Sequence, residues 1–300
     1  MKRFRPVPYE LKVLRVLNSR MILSEKERLD YINAEKGFEG ELKFDQLTKK
    51  LQGEVFIINN LLLKVGNTYF QIDTTIIFQT ALIIFEVKNF EGDHFLESRK
   101  FFKFPKREIK NPFNQLDRNT SLMRQLLQQL GFQIQVESWV TFVNPEFSLF
   151  QAPLDLPVIL PSQLNRFMKN MDMQPSKLNS VHKRLAEKLI SLHHEKSPYT
   201  QLPVYDYEQL KKIITCPRCF SFMVLLGRNK CICPKCSYIE KIDSVVLRSV
   251  DDYRLLFPER KITTQGIYVW CGEVVSEKII RRVLKTYFKE IGFGRWVYFE

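Results

Sequence analysis

Long apolar runs are missing from this 300-residue sequence. A membrane-spanning helix needs roughly 20 consecutive apolar residues, and the best runs here are short pieces such as Ala81 to Phe85. The basic N-terminus, MKRFRPVPYELKVLRV, is followed by neither an uninterrupted apolar segment nor a small-residue cleavage site. The sequence therefore predicts no signal peptide and no membrane partner.

Two common catalytic motifs are also missing. No serine or cysteine has a plausible base beside it, and no glycine-rich loop suits a phosphate. Histidine occurs four times. For His94 we favour a hydrogen-bonded strand histidine over a substrate contact, and we expect His182, His193 and His194 to face solvent from a connecting helix.

Cysteine is scarce outside one short segment, because five of the six lie between Cys216 and Cys236. Such clustering is typical of metal binding in a reducing compartment rather than of a disulfide framework. We therefore expect a cytoplasmic protein. Cys271 stands apart and is predicted to be a buried thiol.

The cysteine segment contains two C-x₂-C pairs, Cys216-Pro-Arg-Cys219 and Cys233-Pro-Lys-Cys236. Four thiolates at this spacing can surround Zn²⁺, and a short ribbon with little core of its own needs that metal to fold. The sequence thus predicts a structural zinc ribbon. Cys231 is an alternative ligand, although the repeated pattern favours Cys233.

Basic residues outnumber acidic ones by 46 to 33, which gives a formal net charge of +13. Such an excess favours a polyanionic partner, with nucleic acid first. A basic protein without a nucleic-acid site remains the alternative, since charge alone does not define a site. The length suggests two or three domains, and a hydrophobic content of 45% suffices for a sizeable core.

Residues 71–90 predict two neighbouring strands of a hairpin. Side chains alternate across a strand, so Glu86 and Lys88 share one face. Asp73 begins the preceding strand and lies near Glu86 if the pair is antiparallel. We expect these three side chains to converge at one sheet edge, with an ordinary exposed ion pair as the alternative.

The flanking segments predict an α-β-β-β-α-β order. Two short helices are expected within residues 8–36, with Ser24 and Glu27 as a capping box, and a third helix carries Glu41 and ends near Gly53. Asn111 before Pro112 is a favoured helix start. The other predicted elements are strands at 55–58, 94–97, 134–143 and 156–160, and helices at 112–130 and 176–196.

Four motifs occur in order: Gly37-Phe-Glu-Gly-Glu41, Ile72-Asp73, Phe85-Glu86-Val87-Lys88, and Asn111-Pro112 with Gln115. In this order they resemble the nuclease-related domain (NERD) family, a branch of the PD-(D/E)xK nuclease superfamily, over roughly residues 37–155. The resemblance implies an α/β fold with a mixed central sheet flanked by helices, as in restriction endonucleases. It also implies a Mg²⁺-dependent (or Mn²⁺-dependent) site that cleaves phosphodiester bonds.

The resemblance gives each motif residue a role. Asp73 and Glu86 would be the direct Mg²⁺ ligands, since this ion prefers a few carboxylates and keeps several waters. Lys88 would orient the attacking water or stabilise developing negative charge. Glu41 would add a carboxylate, and Gln115 would hold Lys88, water or a phosphate. Ordinary helix-surface roles for Glu41 and Gln115 remain open.

The C-terminal residues predict a helix-turn-helix with helices at 245–257, 263–271 and 276–291. On the last helix, five basic side chains share one arc opposite an apolar face: Lys278, Arg281, Arg282, Lys285 and Lys289. Such a helix can lie against phosphates or enter a major groove, with residues 292–299 as a wing. A solvated basic face is the alternative.

These observations divide the chain into five parts. They are N-terminal helices (1–36), the nuclease-related domain (37–155), a helical linker (156–212), the zinc ribbon (213–240) and the basic module (241–300). The leading hypothesis is a metal-dependent nuclease that acts on DNA. The alternatives are a catalytically inactive nucleic-acid-binding or regulatory protein on the same fold, and a protein-interaction scaffold.

Overall fold

The computed structural model describes residues 2–300, which form two compact units. The first unit contains the N-terminal stretch up to Val7 together with Asn33–Thr200, and the second contains Pro8–Ile32 together with Gln201–Glu300. The two units therefore group the five predicted parts differently, since the segment 156–200 lies in the first unit.

Eight α-helices occur within residues 2–300. They are α1 (Tyr9–Arg20), α2 (Glu25–Thr48), α3 (Pro112–Gln129), α4 (Leu164–Asp172), α5 (Ser180–Ser191), α6 (Ile242–Leu256), α7 (Thr264–Trp270) and α8 (Glu277–Tyr287). The strands are β1 (Lys2–Arg3), β2 (Phe56–Val65), β3 (Thr68–Ile77), β4 (Ala81–Lys88), β5 (Gly92–Glu97), β6 (Lys100–Lys103), β7 (Arg107–Ile109), β8 (Gln135–Phe142), β9 (Phe147–Phe150), β10 (Val158–Ile159), β11 (Val224–Leu226), β12 (Lys230–Ile232), β13 (Ile239–Lys241), β14 (Glu290–Ile291) and β15 (Tyr298–Phe299).

The first unit is built on a six-stranded mixed sheet of order β1-β2-β3-β4-β8-β10. Strands β2, β3 and β4 are antiparallel, whereas β4 pairs with β8 in parallel. Every residue of β4 except Lys88 is buried, which is typical of a strand covered on both faces. The predicted α/β class with a mixed central sheet is confirmed.

Helices cover both faces of this sheet because its strands alternate their apolar side chains between two clusters. One cluster receives Met123 of α3 and Leu185 of α5. The other receives Phe44 of α2 and Met168 of α4. The first unit is therefore a three-layer arrangement whose central strands are shielded from solvent.

One helix replaces two that we predicted. The second N-terminal helix and the one carrying Glu41 are a single helix, α2, because the glycines at positions 37 and 40 keep helical geometry. Gly40 has a packing role: a Cβ placed there would lie 2.6 Å from the Cβ of Asn89. The glycine thus allows α2 to approach the chain just beyond β4.

A second, four-stranded sheet of order β7-β6-β5-β9 occurs in the first unit. It contains the basic segment 100–110, for which the sequence predicted neither a helix nor a strand. His94 lies in this sheet as predicted: it is buried, its Nδ1 is 2.9 Å from the carbonyl oxygen of Gly92, and its ring stacks near Phe90 and Phe101. This histidine supports the fold rather than a reaction.

The prediction that three histidines face solvent is wrong for His182. Its side chain is buried, with Nε2 2.9 Å from the carbonyl oxygen of Gln79 and Nδ1 accepting from the Asn179 amide. His193 is half-buried and accepts from the Leu62 amide, whereas His194 is exposed. The cause is that α5 packs on the sheet instead of spanning a linker.

The second unit combines a small three-stranded ribbon with three C-terminal helices. Strands β11-β12-β13 form an antiparallel sheet, and α6, α7 and α8 follow it. Ile280, Val283 and Leu284 on α8 are fully buried, which confirms its predicted apolar face. None of the helices within residues 2–300 combines the length and apolar content needed to span a membrane.

The last helix is shorter than predicted. It ends at Tyr287 because the chain turns into the β14–β15 hairpin, where Lys289 exchanges two backbone hydrogen bonds with Glu300. Lys289 therefore lies beyond α8, at the base of the hairpin.

Candidate active site and metal centre

Asp73 and Glu86 meet in the middle of the central sheet. The β3–β4 register pairs Thr74 with Phe85, and Oδ2 of Asp73 accepts a hydrogen bond of 2.8 Å from the Val87 amide. Both carboxylates are buried, with Glu86 only 2% exposed. The two residues thus converge as expected, but the predicted sheet edge is wrong because β2 and β8 flank the pair of strands.

Lys88 joins this pair from the same face of β4. Its Nζ donates to Oε1 of Glu86 at 2.7 Å and to Oε1 of Gln115 at 3.3 Å. Gln115 lies in the first turn of α3, whose start is fixed by Asn111 accepting from the Phe113 amide. The Lys88 side chain is 20% exposed, so the ammonium group links the buried carboxylates to the surface.

Arg5 is a site residue that the sequence analysis missed. Its guanidinium binds Glu41 at 2.6 Å and forms two bonds of 3.0 Å to the carboxylate of Asp45. It also donates to the backbone oxygen of Asp73 at 2.7 Å and to the hydroxyl of Thr74 at 3.0 Å. The side chain is fully buried. Arg5 therefore fixes α2 against β3 next to the paired carboxylates.

No local signal distinguished Arg5 from the other basic residues of the N-terminus. Its position follows from a long-range pairing, since β1 aligns in parallel with β2, with Arg3 opposite Ile58. That pairing brings the N-terminal stretch beside α2. The ladder is only two residues long, which is too short to leave a strand pattern in the sequence.

Acidic groups outnumber basic ones in this cluster. Four carboxylates surround two cations: Glu41, Asp45, Asp73 and Glu86 with Arg5 and Lys88. We call these six residues the acidic cluster. If all six are ionised, two negative charges remain unbalanced. An uncompensated buried charge costs several kcal/mol, so the arrangement calls for a cation or for protonation.

The pKa values of the carboxyl groups agree with this excess. Burial, followed by repulsion from Asp73, raises the pKa of Glu41 to about 8 and that of Glu86 to about 7. Burial also raises the pKa of Asp73. For Lys88, burial acts in the opposite direction, but attraction by Glu86 and Asp73 outweighs it and raises the pKa.

The donor set of the acidic cluster fits Mg²⁺. In the described chain, only the cysteines assemble three or more His, Cys, Asp or Glu ligand atoms within 4.8 Å of one another. Mg²⁺ does not need such a cage, because it binds through one or two carboxylates and keeps several waters. Asp73 and Glu86 supply two carboxylates, and the unbalanced charge equals that of one divalent ion.

The four paired cysteines form a compact thiol cluster. Sγ of Cys216 lies 3.6 Å from that of Cys236, Sγ of Cys219 lies 3.4 Å from that of Cys233, and all four sulfur atoms lie within 4.8 Å of one another. This arrangement suits a tetrahedral, closed Zn²⁺ site. The structure thus brings together the four residues that the sequence predicted as zinc ligands.

The two other cysteines lie outside this cluster. Cys231 is fully buried in the core of the second unit, among residues of α6. Cys271 is equally buried, and burial raises its pKa to about 11, as expected for an inert thiol. Cys233, not Cys231, completes the group of four, as the repeated motif indicated.

The five basic residues predicted to bind nucleic acid are all exposed: Lys278, Arg281, Arg282, Lys285 and Lys289. Two of them have acidic partners, since Arg282 binds Asp243 and Lys285 binds Glu290. Both pairs are at the surface, where solvent and salt screen the attraction within an ion pair. A polyanion can therefore displace these partners at little cost.

The model of the nuclease-related domain family matches residues 36–143, about a third of the chain. The resemblance found in the sequence motifs is confirmed for this segment. The match begins on α2 and ends just after β8, so it includes Glu41, Gln115 and the β3–β4 residues of the acidic cluster, but not Arg5. Neither the curated proteins nor the solved structures compared with the chain give a match.

Proposed function

We propose that this protein is a metal-dependent nuclease that hydrolyses phosphodiester bonds in DNA. The observation that carries the proposal is the buried arrangement of Asp73, Glu86 and Lys88 inside the segment that matches the nuclease-related domain: the β3–β4 register places Asp73 opposite Glu86, and Lys88 donates to Glu86. A structural ion pair would balance its charges. This cluster has two more carboxylates than cations. The excess negative charge can hold the divalent ion that the proposed phosphodiester hydrolysis needs.

Asp73 and Glu86 would hold Mg²⁺ or Mn²⁺. Such an ion, when bound, neutralises charge on the non-bridging phosphate oxygens and lowers the pKa of a bound water. The protein supplies the orientation: the Val87 amide fixes one oxygen of Asp73, and the Lys88 ammonium fixes one oxygen of Glu86. Each carboxylate keeps its second oxygen for other partners.

Lys88 would act on the phosphate or on the attacking water. Its ammonium carries three N–H donors, and Glu86 and Gln115 accept two of them. The third is left for a phosphate oxygen or a water, close to where negative charge develops. Gln115 thus acts through Lys88 by limiting its orientation.

Glu41 and Arg5 would act one step further from the substrate. Arg5 binds Glu41 and Asp45, so it removes part of the repulsion that their carboxylates exert on Asp73. It also holds the Asp73 backbone. We assign to Glu41 the role of an additional carboxylate that adds negative charge to the site. We assign to Arg5 the role of positioning Glu41.

The remaining modules would hold the substrate. Zn²⁺ at the four cysteines is structural in this proposal, and the basic residues of α8 and Lys289 bind the DNA backbone. A location in the cytoplasm would agree with the metal-binding pattern of the four clustered cysteines, since such patterns are typical of reducing compartments.

The test is cleavage of plasmid and linear DNA by purified protein with Mg²⁺ or Mn²⁺. Glu86→Ala and Lys88→Ala should abolish cleavage. The matched control is the exposed pair Lys36 and Glu91, whose Nζ and Oε2 are 3.3 Å apart in the same unit; alanine at either position should leave cleavage unchanged.

The outcomes separate the alternatives. Activity that survives both Glu86→Ala and Lys88→Ala contradicts the proposed site. Salt-sensitive DNA binding without cleavage under any metal condition indicates an inactive binding or regulatory protein. Absence of both binding and cleavage indicates a protein-interaction scaffold.

A further inference from the structure

The loop of the C-terminal hairpin presents two large aromatic side chains to solvent. It joins β14 to β15, and within it Phe293 is 92% exposed and Trp296 is 73% exposed. Trp270, by contrast, is fully buried in the same unit. Aromatic side chains are enriched at contact surfaces relative to the rest of a protein surface.

The loop that carries the exposed Phe293 and Trp296 is attached to the rest of the unit by defined backbone contacts. Phe299 is buried and its amide donates to the Ile262 oxygen at 2.8 Å, which ties the hairpin to the chain just ahead of α7. Gly292 has φ +87°, and a Cβ there would lie 2.8 Å from the Trp296 oxygen. The loop conformation therefore depends on glycine at position 292.

A basic groove lies beside this loop. It encloses about 920 Å³ and is lined by Lys278, Arg281 and Lys285 of α8, by Thr263 ahead of α7, and by Gly294 of the loop. Glu277 is the one acidic residue among the described residues that line it. The aromatic loop thus forms one wall of a groove whose charge suits a polyanion.

We propose that this hairpin binds duplex DNA as a wedge, with Phe293 and Trp296 inserted against the base stack while α8 contacts the phosphates. The proposal rests on the DNA-docking role given above to the basic module, and it names the substrate class of that module. Apolar side chains inserted between base steps unstack them and bend the duplex, and the bend increases contact with the protein.

The geometry favours B-form DNA over RNA. An α-helix with its side chains is about 10–12 Å wide, so α8 can lie along the phosphates that border the major groove of B-DNA, which is about 12 Å wide. The major groove of A-form RNA is too narrow for it. An anionic membrane also attracts exposed aromatic and basic residues, but a concave groove with a basic helix at its side fits a cylinder better than a plane.

The experiment uses the full-length, zinc-loaded protein without Mg²⁺, so that the DNA stays intact. Duplexes carry 2-aminopurine, whose fluorescence rises when its neighbours unstack, and anisotropy of a labelled duplex reports affinity. The variants are Phe293→Ala and Trp296→Ala. The control is Phe150→Ala, since Phe150 is also an exposed aromatic residue, at 56%, and lies in the first unit.

Wild type and Phe150→Ala should raise the 2-aminopurine signal. Phe293→Ala and Trp296→Ala should lose most of it and bind about tenfold more weakly, as expected for one lost base–aromatic stack. Arg281→Ala should weaken binding but preserve unstacking at saturating protein. An unchanged signal in both loop variants overturns the wedge, and so does binding to phosphatidylserine vesicles without binding to duplex DNA.

A separate cleavage assay with Mg²⁺ tells this inference apart from the proposed reaction. Unstacking that depends on Phe293, in a protein that cleaves nothing, supports the wedge and contradicts the nuclease. Cleavage that depends on Glu86, together with unstacking that depends on neither Phe293 nor Trp296, supports the nuclease and contradicts the wedge.

Discussion

Glu86→Gln should stabilise the metal-free protein at the same time as it abolishes cleavage. Glu86 is 2% exposed and lies next to Asp73, and its pKa is raised to about 7. Ionising it in the folded state is therefore unfavourable unless a cation is bound. Glutamine keeps the size and one acceptor oxygen without the charge.

The size of the effect follows from the pKa shift of Glu86. An unperturbed value of 4.5 and a folded value of about 7 correspond to about 3 kcal/mol, since one pKa unit is about 1.4 kcal/mol. Because the pKa of Glu86 is higher in the folded than in the unfolded state, protonated Glu86 contributes to the free energy of unfolding of wild type below pH 4.5. This contribution is lost as pH rises to about 7. The advantage of the variant should therefore appear over this interval and stay constant above it.

The assay is urea unfolding in zinc-saturated, magnesium-free buffer at pH 5, 6, 7 and 8. Hydrogen exchange of peptides from β3 and β4 assigns the transition to the first unit, because the chain contains two units. A variant that is less stable than wild type at pH 8, or an advantage independent of pH, refutes the reasoning. Added Mg²⁺ should stabilise wild type most at high pH and leave Glu86→Gln unaffected.

Three further predictions concern the framework. Arg5→Gln should destabilise the first unit by about 3–5 kcal/mol, because it leaves Asp45 buried without its partner, and urea unfolding measures this. Gly40→Ala should cost about 1–3 kcal/mol in the same assay through its clash with Asn89, whereas Gly37→Ala, with open space around it, should gain up to about 1 kcal/mol. Elemental analysis should find about one zinc per chain in wild type and in Cys231→Ser, and little zinc in Cys233→Ser.

The fold was predictable where the sequence pattern is local. The β3–β4 hairpin follows from two apolar runs with a short polar turn, and the start of α3 follows from Asn111 and Pro112. The predicted strand at 55–58 missed the second half of β2, because asparagine is uncommon in strands, yet Asn59 and Asn60 both lie in β2. Asn59 is buried there, so tertiary packing overrode the propensity of these residues.

The contacts of the site were predictable where two residues lie in one strand at a spacing that puts both side chains on the same face. Glu86 and Lys88 are two apart on a strand, so their contact follows from alternation. The burial of Glu86 and Lys88 cannot be predicted from this spacing. It depends on the pairing of β8 with β4, which are separated by more than 40 residues of chain. An ordinary exposed ion pair was the alternative interpretation of Glu86 and Lys88, whereas in the structure their side chains are only 3% and 20% exposed.

Desolvation links the stability of this site to its proposed chemistry. The burial that raises the pKa of Glu41 and Glu86 also strengthens the attraction between their ionised forms and any cation, because both effects come from the same low dielectric. A site exposed to water would be cheaper to fold but weaker as a cation site. Arg5 tempers the cost by binding Glu41 from outside the matched domain segment, and it leaves Asp73 and Glu86 with the charge that a divalent ion would neutralise.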